Sequence, residues 1–320
     1  MPSTCDSTFS RCTASSEGSC ANSVSEPATS FTRSRIDDPA PHTIATAGLL
    51  GDTSARDYAY KLQLFNSFAA PELRQAMASL DLKPGMRVLD AGCGTGAALA
   101  WLRQAAEPGG LVVGFDLASA HIRAAHACAG AGAAVLQADL MQPPLARGSF
   151  DLVWSVNTIN HLRSPVEGVR RLATLLRPGG RIALGQSSLV PDMYFAWDAR
   201  LERVTNEAVR RYYCDRYGLD ERALAGIRGL VGLLRRAQLH NVTAHTCMIE
   251  RVAPLAAADE AYMLEAIFRG SWGERLRPYL DAADFAELAR LCDPQHPQFA
   301  LRRADFHFLQ SFTLAVAAIP

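Results

Sequence analysis

The run Asp90-Ala-Gly-Cys-Gly-Thr-Gly96 constrains this chain more than any other stretch. An apolar, strand-like segment at 86–90 (MRVLD) leads into it, and a helical stretch at 97–107 leaves it. Gly92, Gly94 and Gly96 let the backbone turn tightly and let a ligand approach without meeting a Cβ. A strand that passes through such a loop into a helix is the opening unit of a layered α/β fold.

The rest of the central sequence repeats that unit. Residues 111–116 (LVVGFD) read as a second strand, 118–129 as a helix and 133–137 (AAVLQ) as a third strand. A fourth strand at 150–155 (FDLVWS) precedes a helix at 165–176, a turn at 177–181 (RPGGR) and a fifth strand at 182–185. Continuous apolar strands separated by helices predict a Rossmann-like parallel sheet covered on both faces. Two later strands, near 241–249 and 306–317, would complete it.

Around this core the composition changes. Residues 1–45 are rich in Ser, Thr, Pro and Ala and are expected to be a disordered tail, because they bring too little apolar surface to offset ordering. The domain is expected over 46–320, with N-terminal helices at 46–82 carrying Leu62, Phe65, Phe68, Leu73 and Met77 at helical spacing. The ligand-binding core follows at 83–190, then a cap insertion with its following helix at 191–238. The C-terminal strands at 239–320 enclose a helical insertion at 255–300. Both insertions carry many aromatic residues, which at helical spacing usually mark a core and would also suit a lid over the carboxyl ends of the strands. On the lid reading, Tyr58, Tyr60, Tyr194 and Trp197 are substrate candidates.

Net charge is zero, with 32 basic and 32 acidic residues, so nothing favours a binder of nucleic-acid phosphates. No apolar run approaches the roughly 18 residues of a membrane span, and the first 20 residues lack the apolar core of a secretory signal. A cytoplasmic protein is expected, with a small-molecule substrate and a homodimer as its candidate assembly. The eight cysteines form no C-x-x-C pair, and His121 and His126 are five apart, so no metal site is predicted.

Three acids select the ligand. Asp90 ends the first strand beside the glycine loop, Asp116 ends the second and Asp139 follows the third. Ligands of such sheets bind at the carboxyl ends of the strands. The loop can also be read as a dinucleotide fingerprint from Gly92 to Ala97, but a carboxylate at Asp90 would repel a pyrophosphate. It would attract the α-ammonium of S-adenosylmethionine (SAM). For any single acid, a strand-end cap is the alternative.

DAGCGTG, the acid in GFD, QADL, FDLVWSVNTINHL and LRPGGR resemble the ordered motifs of class I SAM-dependent methyltransferases, in particular the small-molecule group that includes the ubiquinone and menaquinone methyltransferases. The resemblance spans residues 55–190 and fades beyond. It implies a seven-stranded sheet, mostly parallel with the last strand antiparallel, and helical cap insertions. It also implies that Asp90, Gly92, Gly94 and Gly96 hold the methionine part. Asp116, with Leu117 beside it, would hold the ribose, Asp139 and Leu140 the adenine, and Asn157 and Thr158 would border the sulfonium. The insertion at 255–300 departs from the pattern. The implied reaction moves a methyl group to an O, N or C atom of a small aromatic or heterocyclic metabolite. The alternatives are an NAD-linked oxidoreductase and a non-catalytic SAM-fold binding protein.

An oxygen or carbon nucleophile needs proton removal, and His161, just after the fourth strand, is the candidate base. The alternative is that Asn160 and His161 hydrogen-bond the helix that follows.

Overall fold

Five parallel strands make the centre of the sheet, in the order β3 (Ala133–Gln137), β2 (Leu111–Asp116), β1 (Arg87–Ala91), β4 (Phe150–Val156) and β5 (Leu176–Ser187). β8 (His307–Ala318) lies antiparallel against β5, and β7 (His240–Val252) lies antiparallel on its other side. The computed structural model describes residues 59–129, 133–188, 193–195, 198–220 and 229–319. The expected tail at 1–45, Tyr58 and Trp197 lie outside the described residues.

Side chains that alternate along each strand divide the core into two layers. Val88, Val112, Leu152 and Trp154 join one layer with Leu99 and Leu102 of α3 (Ala97–Ala106) and Ile122 of α4 (Ser119–Ala129). Phe65 and Phe68 of α1 (Ala59–Phe68) and Leu73 of α2 (Ala70–Ala78) belong to the same layer. Leu89, Val113, Val153 and Leu184 join the other, with Val169 and Leu172 of α5 (Pro165–Ala173) and Leu233 and Leu234 of α7 (Leu230–Arg236).

The sheet contains the seven expected strands and one more. The additional one, β6 (Met193–Phe195), falls in a stretch read as helical. β8 runs on past the end of β5, and its backbone groups there need partners. Met193–Phe195 supplies them, pairing with Gln310, Leu309 and Phe308. Only then does the expected helix begin, as α6 (Ala199–Tyr217), capped by Asp198 through the amides of Arg200 and Leu201 and ended by left-handed Gly218. The turn read at 177–181 is a bulge within β5: Phe150 faces Leu176, but Leu152 faces Arg181.

The insertion between β7 and β8 is helical, as expected. It contains α8 (Ala257–Ala261), a π-helix over Tyr262–Trp272, a 3-10 segment over Gly273–Tyr279 and α9 (Ala282–Leu291). Tyr262 stacks on Phe68 at 4.2 Å between centroids, and Phe268 stacks on Trp272 at 5.5 Å. All three aromatics of the π-helix are buried in the core layer that holds α1 and α2. They anchor the insertion to the body, so the expectation that they wall an acceptor pocket does not hold for them. α1 packs closely against the π-helix, because a Cβ on Gly270 would lie 2.5 Å from Nζ of Lys61.

One charged cluster ties the layers together. Arg251 of β7 bonds Glu72 of α2 at 2.7 Å and Asp259 of α8 at 3.0 Å, donates to the backbone oxygen of Phe68 and lies 4.6 Å from that ring's centroid.

Candidate functional site

The glycine loop is shaped by contacts that only glycine allows. Gly92, Gly94 and Gly96 all have positive φ. A Cβ on Gly92 would lie 2.3 Å from Cγ2 of Thr158, and one on Gly96 would lie 2.9 Å from Cα of Ala125 in α4. The loop is therefore wedged between the segment after β4 and helix α4. Leu62 of α1 stands over it, with Cδ1 3.2 Å from where a Gly94 side chain would begin.

Asp116 organises this loop from the end of β2. Its carboxylate accepts from the amides of Gly94 (3.0 Å) and Ala118 (2.9 Å) and pairs with Nδ1 of His121 (3.1 Å). A carboxylate has about four lone-pair positions, so capacity is left for a ligand hydroxyl. His121, considered in the sequence only as a metal ligand, is the residue that reading missed. It lies one turn into α4, where helical spacing returns it to the strand end it left.

Asp90 is one of the site's unsatisfied groups. It is buried, and its Oδ2 has no hydrogen-bond partner. Burial, with the Asp116 charge adding to it, pushes its carboxyl up to about 8, so it holds a proton at neutral pH.

The other predicted residues surround this centre. Asp139 accepts from the amide of Met141 at 2.8 Å, and Leu140 is buried beside it. The carbonyl of Leu117 accepts from Gln137 at 2.9 Å. Thr158 donates to the carbonyl of Val156 at 3.0 Å and, at 3.4 Å, to that of Gly92. Asn157 has φ +52 and directs its oxygen away to β5, where it accepts from the amide (2.8 Å) and hydroxyl (3.0 Å) of Ser187. His161 sits on the 3-10 turn Ile159–His161, partly exposed. Burial lowers its pKa below the usual histidine value, with Asp116 opposing, so the ring is neutral at pH 7. Tyr60 is 60% exposed, and Tyr194 lies in β6.

Residues 89–184 match a family model described as a methyltransferase domain. The chain is 35% identical over 117 residues to the 27-O-demethylrifamycin SV methyltransferase of Amycolatopsis mediterranei, covering 35% of this chain and 42% of that protein. It is 36% identical over 156 residues to the malonyl-[acyl-carrier protein] O-methyltransferase of Enterobacter lignolyticus, covering 48% and 58%. The chain thus spans about half the length of these curated relatives. A candidate methyltransferase of Bacillus halodurans superposes with a TM-score of 0.51 at 18% identity, covering 78% of this chain and 99% of that one, and so shares the fold. These matches fall on the sheet and loop described above: residues 89–184 are similar to a methyltransferase domain, and the chain shares the fold of a methyltransferase structure.

Proposed function

We propose that the chain is a SAM-dependent methyltransferase that acts on an oxygen of a small metabolite. The observation that carries this reading is the unpartnered, buried carboxyl of Asp90 beside a three-glycine loop. Such a group can give up its proton to pair with a cation, and SAM brings an ammonium to that position, whereas the pyrophosphate of a dinucleotide brings no cation. Asp90 and the loop hold the methionine part, the free capacity of Asp116 takes the ribose, and Asp139 with Leu140 takes the adenine. Bound there, SAM supplies a methyl group activated on a sulfonium. Neutral His161 takes the proton of an acceptor hydroxyl in this reading. The oxygen preference follows the two relatives named above, both described as acting at oxygen. The proposal includes a cytoplasmic setting, no nucleic-acid partner on the strength of zero net charge, and a homodimer. Among the described residues, no helix is long and apolar enough to cross a membrane.

Calorimetric titration tests the cofactor assignment. SAM and S-adenosylhomocysteine should each bind one to one, and Asp90→Asn should weaken SAM by about 1.5–3 kcal/mol, the range for a hydrogen bond to a charged group. Absence of binding by folded protein, or tighter binding of NAD, would reverse the assignment.

The raised pKa of Asp90 adds a pH signature. Its folded value lies above the ordinary carboxylate value, so the free protein holds the proton below about 8 and a bound cation expels it. Between pH 6 and 7 the ammonium of SAM stays charged, and affinity should rise about tenfold with pH. Asp90→Asn should flatten that slope. Wild-type affinity that does not change over this window would show that Asp90 does not meet the cation.

A further inference from the structure

Among the described residues, the buried side-chain oxygens without a hydrogen-bond partner include three on β5's end, α6 and β8: Oγ of Ser188, Oγ1 of Thr205 and Oε1 of Gln310. Their residues are 3%, 1% and 0% exposed. A native fold leaves few such atoms, and each one calls for an explanation. These three belong to elements that meet in one corner of the fold. Ser188 follows the carboxyl end of β5. Gln310 lies on β8, where that strand pairs with Met193 of β6. Thr205 is on the buried face of α6, with Leu201 and Val209, and α6 packs on β6.

Chemistry fixes what the corner lacks. The amide nitrogen of Gln310 donates to the backbone oxygen of Ser188, which can only accept. The free end of Gln310 is therefore its carbonyl, which needs a donor. The Gln310 amide also donates to the hydroxyl oxygen of Tyr262 in the π-helix. The hydroxyls of Ser188 and Thr205 can donate or accept. Phe308 and Phe312, both buried, flank Gln310 along β8.

We propose that this corner is a polar subsite for the methyl acceptor, in which the side-chain carbonyl of Gln310, flanked by Ser188 and Thr205, receives a hydroxyl of the acceptor. The ligand class is a compound with two or more hydroxyls on a rigid, largely apolar frame. The proposal rests on the methyltransferase reading, because it assigns the acceptor side of that site.

The test uses the full chain loaded with S-adenosylhomocysteine, with 1,3-dihydroxynaphthalene and its dimethyl ether as probes. The diol should bind at least about tenfold more tightly than the ether, since a site built to pair a hydroxyl rejects the analogue that lacks it. Gln310→Met and Thr205→Val should abolish that preference while affinity for S-adenosylhomocysteine stays within about twofold. Without any probe, Thr205→Val and Ser188→Ala should raise Tm, because each removes an unpaired buried oxygen. The subsite is refuted if the diol does not bind, if both probes bind equally, if the variants keep the preference, or if removing the hydroxyls lowers Tm. Failure of S-adenosylhomocysteine to bind would refute the cofactor reading instead, and the same probes on the free protein would still decide the subsite.

Discussion

Replacing His161 by alanine is expected to lower kcat for an oxygen acceptor by roughly 10²–10⁴, the range for losing a positioned general base. Affinity for SAM should hardly change, because no proposed cofactor contact involves this ring. The turn that carries His161 is fixed from both sides. Its amide donates to the carbonyl of Thr158 at 3.0 Å, and its neighbours Ile159 and Leu162 are buried. Thr158 in turn stands against Gly92, so the ring is tied to the loop that the proposal gives to the cofactor. Burial removes the proton that an exposed histidine would hold near its ordinary pKa, and the Asp116 charge limits that effect. The acidic limb of the kcat profile should therefore fall below the ordinary histidine pKa of about 6.5. Initial rates from pH 5 to 8, for wild type and His161→Ala, would show both effects. A variant that turns over at the wild-type rate would mean the acceptor ionises without help, while the calorimetric results on SAM would still stand.

The largest loss of stability is expected from Arg251→Ala. Arg251 and Glu72 are each 14% exposed and Asp259 is 17% exposed. Removing the guanidinium leaves two carboxylates facing each other with little water, and the backbone oxygen of Phe68 loses its donor. Breaking a buried pair in this way costs about 3–5 kcal/mol; residual solvent access brings the expectation here to about 2–4 kcal/mol. For a domain of this size that lowers Tm by roughly 5–15 °C. Arg251→Lys should recover only part, because an ammonium cannot span both carboxylates and the ring as a planar fork does. SAM affinity should fall as well, since the cluster holds α2 and the end of α1, and Leu62 of α1 lies over Gly94. Thermal melts with and without SAM would measure both. A melting point within a degree or two of wild type would show that the cluster is ornamental.

The central sheet was legible because each of its parts carries its own local signal. β1, the glycine loop and α3 announce themselves within residues 87–106, since only glycine satisfies the contacts at 92 and 96. The acids at 90, 116 and 139 could be placed at strand ends because strand length is short and regular. What stayed hidden depends on distant partners. β6 is extended because β8 outlasts β5, and nothing in Met-Tyr-Phe itself reports that. The π-helix aromatics have the same spacing whether they wall a pocket or fill a core, and only their contact with Phe68 and the sheet decides it. Asn157 was read beside the sulfonium, yet its side chain is taken by Ser187, a partner thirty residues on.

β8 is shared by more of the molecule than any other strand. β5 and β6 occupy one of its edges and β7 the other, and Gln310 lies in the part that β6 and β7 enclose. It is also the last strand in sequence, so its pairing with β5 joins Arg181 to Ala318 across the whole C-terminal half. Assembly then has an order: the parallel core can close from local βαβ units, whereas the corner around Gln310 waits for the long-range docking of β8. Until β8 docks, β5 is an open edge, prone to pairing with other chains during synthesis. A slip of one residue on docking would exchange the faces of Phe308, Gln310 and Phe312 with those of their neighbours and build an intact sheet with the wrong side chains in the core.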